Sequence, residues 1–281
     1  MKKMFALVLA VLMVAALLAG CGSSTAETKA PEATAAPAPA ATEAAAPAET
    51  EAAAPVFTTI ESGKLIMSTN AAFPPYEMVA DDGSLEGIDV EIAGAIAKKL
   101  GLELVVDDMD FDAALLAVQQ GKSDIVMAGV TVNEDRKLVM NFSDTYSKGV
   151  QVVIVKEGSD VTLDNLGDQM IGTQRGTTGY IYTSGDYGED HVTAYDNGAS
   201  AVQALANGQV DCVVIDSAPA QAFVEANPGL TILDTEYTSE DYAIGMSKDN
   251  TALLEAINGA LKELTEDGTI PAIVEKYIPT K

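Results

Sequence analysis

The chain has 281 residues, 42 acidic against 16 basic side chains and a formal net charge of −26, with two arginines, two cysteines and one histidine. Such an acidic surface repels nucleic acid and anionic headgroups, both of which are held through Lys and Arg, so nucleic acid is excluded as a partner. Aromatic residues make up only 5% of the chain and tryptophan is absent.

In chain order, Lys2 and Lys3 precede an unbroken apolar run from Met4 to Ala19 that stops at Gly20 and Cys21, the layout of a signal peptide over residues 1–21. The run is short against the roughly 20 residues needed to cross a bilayer. LAGC, Leu18 to Cys21, resembles the lipobox of bacterial lipoproteins. That resemblance implies cleavage before Cys21 and a diacylglycerol anchor on it, and two acyl chains hold stably where one does not. Cys212, inside VDCVVI, reads as a small buried hydrophobe. One thiol then remains, which leaves no disulfide framework and no cysteine-based metal site. Residues 22–55 are an Ala/Pro/Glu/Thr tract with too little apolar surface to fold. Extended at ~3.1 Å per residue, the tract reaches on the order of 100 Å, the reading of a tether.

Val56 to Lys281 carries 37 acidic and 13 basic residues and is long enough for two lobes. KLIMST reads as a strand. IDVEIAGAIAKKLG reads as a helix, with Ile88, Ile92, Ile96 and Leu100 on one face and Gly101 as its C-terminal cap. LELVVD, DFDAALLAVQQG and DIVMAG continue the alternation, which predicts parallel sheets covered by helices. DDGS, Asp81 to Ser84, is a turn signal for a small hairpin or loop before the first helix. The pattern repeats after residue 150 in VQVVIV, MIGTQ, VTAYD, GASAVQALANGQ, VDCVVI and LTILD. Leu115, Val118, Gly121, Asp124 and Val126 are echoed at the same spacing by Val202, Leu205, Gly208, Asp211 and Val213. Both copies read as helix, glycine cap and a strand entered through an aspartate, which supports two lobes of related construction. The tail predicts an amphipathic helix from near Asn250, a stop at Gly268 and a last helix with Pro271 near its start.

On residues alone, Arg136 among Asn133, Glu134 and Asp135 is a surface ion partner worth about 0–1 kcal/mol. Phe73 and Phe111 are core residues on the same footing, and Asp216 is a helix N-cap for SAPAQAFVEA.

FPPYE (Phe73 to Glu77), GIDVEIAGAIAKKLG, MDFDAALLAVQQGKSDIVMAGVTVNEDR, RGTTG and DGTIPAIVEKY occur in one order across Val56 to Lys281. In these motifs the chain resembles the amino-acid solute-binding proteins of ABC importers, solute-binding protein family 3. One departure is Ile88, where that family usually carries an aromatic. The resemblance implies the α/β, type II periplasmic-binding-protein fold: two lobes, each a β-sheet flanked by helices, joined by a two-strand hinge. Residues 56–148 with 243–281 would form lobe 1, which owns the terminal helices, and 149–242 lobe 2. The chain would cross near Ser147 to Gln151 and return near Glu240 to Ala243.

The same resemblance implies a non-enzymatic, monomeric protein, lipid-anchored on the extracellular face of the cytoplasmic membrane. It would bind a free amino acid between the lobes and deliver it to ABC permease subunits, with neither cofactor nor metal. Carried over residue by residue, Arg136 would clamp the ligand's α-carboxylate, as a planar guanidinium does with two parallel hydrogen bonds. Thr131 would join it, Gly129 would let the backbone approach the ligand, and Thr178 at a helix N-terminus would contact it from the other lobe. Asp216 would take the α-ammonium. Phe73 and Phe111 would wall the side chain, with Asn70, Ala128 and Gln174 lining its pocket. Asn70 stands where binders of cationic amino acids tend to carry an acid, so a polar uncharged ligand such as glutamine is expected, or an acidic one if Arg175 turns inward.

Two rivals share this fold: a dehydratase-type or wall-lytic enzyme, and a surface sensor of amino acids. Against an enzyme, the one histidine, His191, sits in acidic GDYGEDHV and reads as a solvated loop residue, and no Ser-His-Asp arrangement can be assembled without it. Asp107, Asp108, Asp110 and Asp112 lack calcium-loop spacing, and GTQRGTTG lacks the Gly-Lys-Ser/Thr of a phosphate loop.

Overall fold

The computed structural model describes residues 57–279. The expected signal peptide, Cys21 and the tether of residues 22–55 lie outside the described residues. Strand β1 (Lys64–Thr69) is followed by the short strands β2 (Ala72–Phe73), β3 (Glu77–Val79) and β4 (Leu85–Glu86). Helix α1 (Ile88–Leu100), β5 (Glu103–Asp108), α2 (Phe111–Gln119), β6 (Ile125–Val126) and α3 (Glu134–Val139) complete the first half.

The chain then enters the long strand β7 (Asn141–Lys156), followed by β8 (Ile171–Gln174), α4 (Thr178–Tyr187), β9 (Val192–Tyr195) and α5 (Gly198–Ala206). β10 (Cys212–Asp216), α6 (Ser217–Ala226), β11 (Leu230–Ile232), β12 (Thr238–Met246), α7 (Thr251–Glu266) and α8 (Thr269–Tyr277) follow.

These elements form where local chemistry asks for them. All but the first residue of β1 is buried, as a near-continuous apolar run requires of a parallel strand covered on both faces. Ile88, Ile92 and Ile96 of α1 are fully buried, Asp89 and Glu91 sit in its first turn, and Lys98 and Lys99 in its last. That order of charge suits the helix dipole. Gly101 ends the helix in the left-handed conformation, φ 73°, with its N–H on the Ala97 and Lys98 carbonyls. The DDGS segment is the tip of the β3–β4 hairpin, closed by Ala80 N–H to the Ser84 carbonyl at 2.8 Å. The internal echo has a structural basis. Gly121 and Gly208 both take positive φ, and Asp124 and Asp211 each accept backbone N–H groups of the neighbouring strand segments, from Ile66 and Met170 at 2.8 Å.

The principal sheet runs β5-β1-β6-β12-β7-β10-β8-β9, with β11 added to β7. β5, β1 and β6 are mutually parallel, as are β10, β8 and β9. Between these two sets lie β7 and β12, antiparallel to each other from Asn141↔Met246 to Gln151↔Thr238. The far half of β7 pairs with β10 instead. Two parallel α/β sets tied by one long strand pair make the two-lobe fold.

The strand expected at VQVVIV thus begins nine residues earlier, at Asn141. Polar NFSDTYSK is held in a strand by its partner β12, where pairing overrides the turn-like composition. The amphipathic helix α7 buries Leu253, Ile257, Leu261 and Leu264 and packs on α1 and β7, while α8 packs on α7 and α1. Cys212 is fully buried, and burial pushes its thiol up to about 12. No helix among the described residues is long and apolar enough to cross a membrane.

Candidate functional site

The carboxyl ends of β1, β8 and β10 converge on a cleft with about 310 Å³ of empty space, mouth included. This is at the lower end for small-molecule pockets, and strand ends are where α/β folds place them. All ten residues singled out from the sequence line it: Asn70, Phe73, Phe111, Ala128, Gly129, Thr131, Arg136, Gln174, Thr178 and Asp216. Glu77 and Thr177 line it as well.

Arg136 is 7% exposed, so a surface ion pair does not describe it. Asn133 caps α3 by accepting the Arg136 backbone N–H at 2.8 Å, and Glu134 pairs with Lys137, not with the arginine. The guanidinium crosses the cleft: Nη1 donates to the Thr131 carbonyl at 2.9 Å and Nη2 to the Gly176 carbonyl at 3.1 Å. Its carbon lies 5.4 Å from the Phe111 ring centroid. Two carbonyls satisfy part of a five-donor fork, and no carboxylate among the described residues comes within ion-pair distance. Burial lowers its pKa, which the charge of Glu240 partly restores.

Opposite the arginine, α4 opens with its N-terminus toward the cleft. Thr177 caps it by accepting from Tyr180 N–H at 3.4 Å and donating to the Gln174 carbonyl at 2.8 Å. Thr178, the first helical residue, is 3% exposed, and its hydroxyl lies 3.4 Å from that of Thr131. Asn70 and Gln174 also meet across the cleft, Gln174 Nε2 donating to Asn70 Oδ1 at 3.0 Å. Phe73 stacks on Tyr76 at 5.8 Å, and Phe111 opens α2.

Gly129 has φ 53°, and an added Cβ would come within 2.7 Å of the Phe73 ring. Its N–H donates to Asp89 Oδ2 at 2.9 Å rather than into the cleft, so Phe73 and the backbone turn account for this glycine without a ligand.

Asp216 holds the N-cap position of α6 without making a capping hydrogen bond. Its carboxylate faces inward and accepts from Gln151 Nε2 at 2.8 Å and from the Tyr242 hydroxyl. Burial, and next the nearby Glu240 charge, push its pKa up to about 7. Arg175 turns the other way, exposed and 3.3 Å from Asp196. His191 is absent from the cleft lining.

Sequence reasoning missed the acids behind these residues. Glu77 is fully buried, lines the cleft and meets the carboxyl of Asp89. Burial, reinforced by neighbouring Asp89, holds it well above the usual carboxylate range, and burial pushes Asp89 up to about 6. A lone acid in the apolar stretch FPPYEMV was the available signal. Gln151, the lone polar residue in the apolar run VQVVIV of β7, carried the same signal, whereas Glu240 of β12 carried none, because TSEDY reads as a polar loop.

A cleft at strand ends, with a buried cation on one side and buried acids on the other, defines a two-lobe binding protein for small polar solutes. The model of the bacterial extracellular solute-binding proteins, family 3, matches residues 65–280, and the chain belongs to that family. It is similar to a "Probable histidine-binding protein" of Neisseria gonorrhoeae, 34% identical over 218 residues that cover 75% of this chain and 81% of that one. The "ABC transporter glutamine-binding protein GlnH" of Bacillus subtilis is 29% identical over 283 residues, 99% of this chain and 98% of that one. Among solved structures, "An ancestral arginine-binding protein bound to glutamine" matches with a TM-score of 0.74 and 40% identity, covering 78% of this chain and all of that one.

Proposed function

We propose that the cleft binds a free L-amino acid and that the protein delivers it to the permease of an ABC importer by closing its lobes on it. Arg136, Thr131 and the α4 N-terminus at Thr178 take the α-carboxylate, and Asp216 takes the α-ammonium. Phe73 and Phe111 flank the side chain, which reaches toward Asn70, Ala128, Gln174 and Glu77. Gly129 shapes the floor. A carboxylate and an ammonium that touch both lobes only when the cleft is shut make the ligand select the closed state. Lobe 1 comprises residues 56–148 and 243–281 and lobe 2 residues 149–242. Cys21 carries the lipid anchor, residues 22–55 are the tether, and the protein works as a monomer.

The observation that carries the reading is the pairing of buried Arg136 with buried Asp216 in one small cleft. A zwitterion supplies the opposite charge to each. For the side chain, Asn70 and Gln174 favour a terminal amide, and glutamine is the first reading. Glu77, an acid in the cleft lining that would give up its proton to a cation, favours a second, a cationic guanidinium as in arginine. Outward-facing Arg175 disfavours an acidic ligand. The relatives named for histidine and glutamine support the amino-acid class.

The test is a thermal-shift screen of the full chain against the twenty amino acids after refolding from denaturant, with Arg136→Ala alongside. A ligand that binds only the folded state raises the melting temperature by mass action. One or a few amino acids should stabilise the wild type and leave the variant unmoved; no shift with any of them would sink the assignment. Ligand-dependent uptake in vesicles carrying the permease separates an importer subunit from a sensor.

A further inference from the structure

The hydroxyls of Thr131 and Thr178, which the proposed binding mode gives to a ligand carboxylate, already face another carboxylate. Glu240 of β12 is 6% exposed. Its Oε2 accepts from Thr131 Oγ1 at 3.1 Å, Thr178 Oγ1 at 3.0 Å and Gln151 Nε2 at 2.9 Å. The three donors come from separate parts of the chain: Thr131 follows β6, Thr178 opens α4 and Gln151 lies in β7.

A threonine hydroxyl carries one proton, so each can serve Glu240 or a ligand carboxylate, but not both. Glu240 is also the foremost charge that offsets the burial of the Arg136 guanidinium. A ligand carboxylate brought to the same cation and the same hydroxyls meets like-charge repulsion in a site shielded from water. The Tyr182 hydroxyl is a further neighbour of the Glu240 carboxylate.

We propose that Glu240 is a resident anion behind the cleft, which ties Thr131 to Thr178 across it and yields their hydroxyls when an amino-acid carboxylate arrives. The tie stands on the geometry alone, while the competition rests on the amino-acid reading. The tied state closes the cleft on itself and lowers apparent affinity by the fraction of molecules it occupies. It re-forms as ligand leaves, and so favours release.

The experiment compares full-length wild type, Glu240→Ala and Glu240→Gln, each refolded from denaturant to remove carried-over ligand. Small-angle scattering of the ligand-free proteins reads the tie, and calorimetric titration with the amino acid found in the screen reads the competition. Glu240→Ala should have a larger radius of gyration than the wild type and bind about tenfold more tightly, the factor set by losing one charge-assisted competitor. Glu240→Gln, whose amide oxygen still accepts but carries no charge, should fall between them, and it decides alone if the alanine variant does not fold. A residue that only supported the site would weaken binding when removed. Unchanged dimensions overturn the tie, and unchanged or weaker binding overturns the competition. If no amino acid binds the wild type, the amino-acid reading fails, while the scattering comparison still decides the tie.

Discussion

Burying a guanidinium costs free energy that two backbone carbonyls only partly return, and Arg136 accepts that cost at 7% exposure. Removing it leaves a bound carboxylate without its partner. Arg136→Ala is therefore expected to weaken amino-acid binding by ~3–5 kcal/mol, or roughly two to three and a half decades in Kd, measured by calorimetry. A loss below tenfold would place the carboxylate elsewhere. Asp216 leads to a second expectation. With its pKa pushed up to about 7, the folded protein holds it mostly neutral at pH 6 and mostly ionised at pH 8. An ammonium binds the ionised form, so affinity should rise about tenfold from pH 6 to pH 8, with proton release on binding. Asp216→Asn should weaken binding and flatten that profile; a profile that survives the substitution would assign the titration to another group.

At the scale of elements, the pairing of β7 with β12 and β10 places Tyr242 and Asp216 against Gly149, where no side chain fits. An added Cβ there would lie 2.6 Å from Asp216 Oδ1 and closer still to the Tyr242 hydroxyl. Gly149→Ala should destabilise the fold by about 1–3 kcal/mol through overpacking, read as a lower urea midpoint. It should also weaken ligand binding, because Asp216 must move. Normal binding in a destabilised variant would show that Asp216 is not a contact. The helices needed no such tertiary help: Gly101 and Gly268 bound theirs through a left-handed backbone, and Asn250 caps α7 by accepting the Leu253 N–H.

For the whole molecule, three buried carboxyls, Glu77, Asp89 and Asp216, have pKa values raised by burial. Through Asp89 and Asp216 the folded state therefore binds protons that the unfolded chain has released between about pH 4, the ordinary carboxylate range, and pH 6 to 7. In that window the unfolded state binds fewer protons, so stability falls as pH rises and levels off once the native groups ionise. Asp89, raised to about 6, contributes up to about 3 kcal/mol of this slope. Asp89→Asn keeps an acceptor for Gly129 N–H, and its urea midpoint should vary less than the wild type's between pH 4.5 and 7.5. An unchanged slope would mean that Asp89 does not titrate in that window. The chain's net charge of −26 adds self-repulsion that changes in the same direction, which is why the comparison is with the variant and not with pH alone.

The sequence by itself determined the alternation of strand and helix, the glycine stops, the two-lobe class and ten of the twelve residues that line the cleft. These are local properties of composition and spacing, or linked motifs with a constant order. Tertiary structure alone decided that Arg136 is buried against carbonyls and Phe111, that Arg175 faces outward, and that β7 begins at Asn141. It also decided that Glu77 and Glu240 stand in and behind the cleft. Whether a polar side chain is solvated or enclosed depends on which distant strand comes to lie against it. Glu240 meets Thr131, 109 positions away, only because β12 returns along β7.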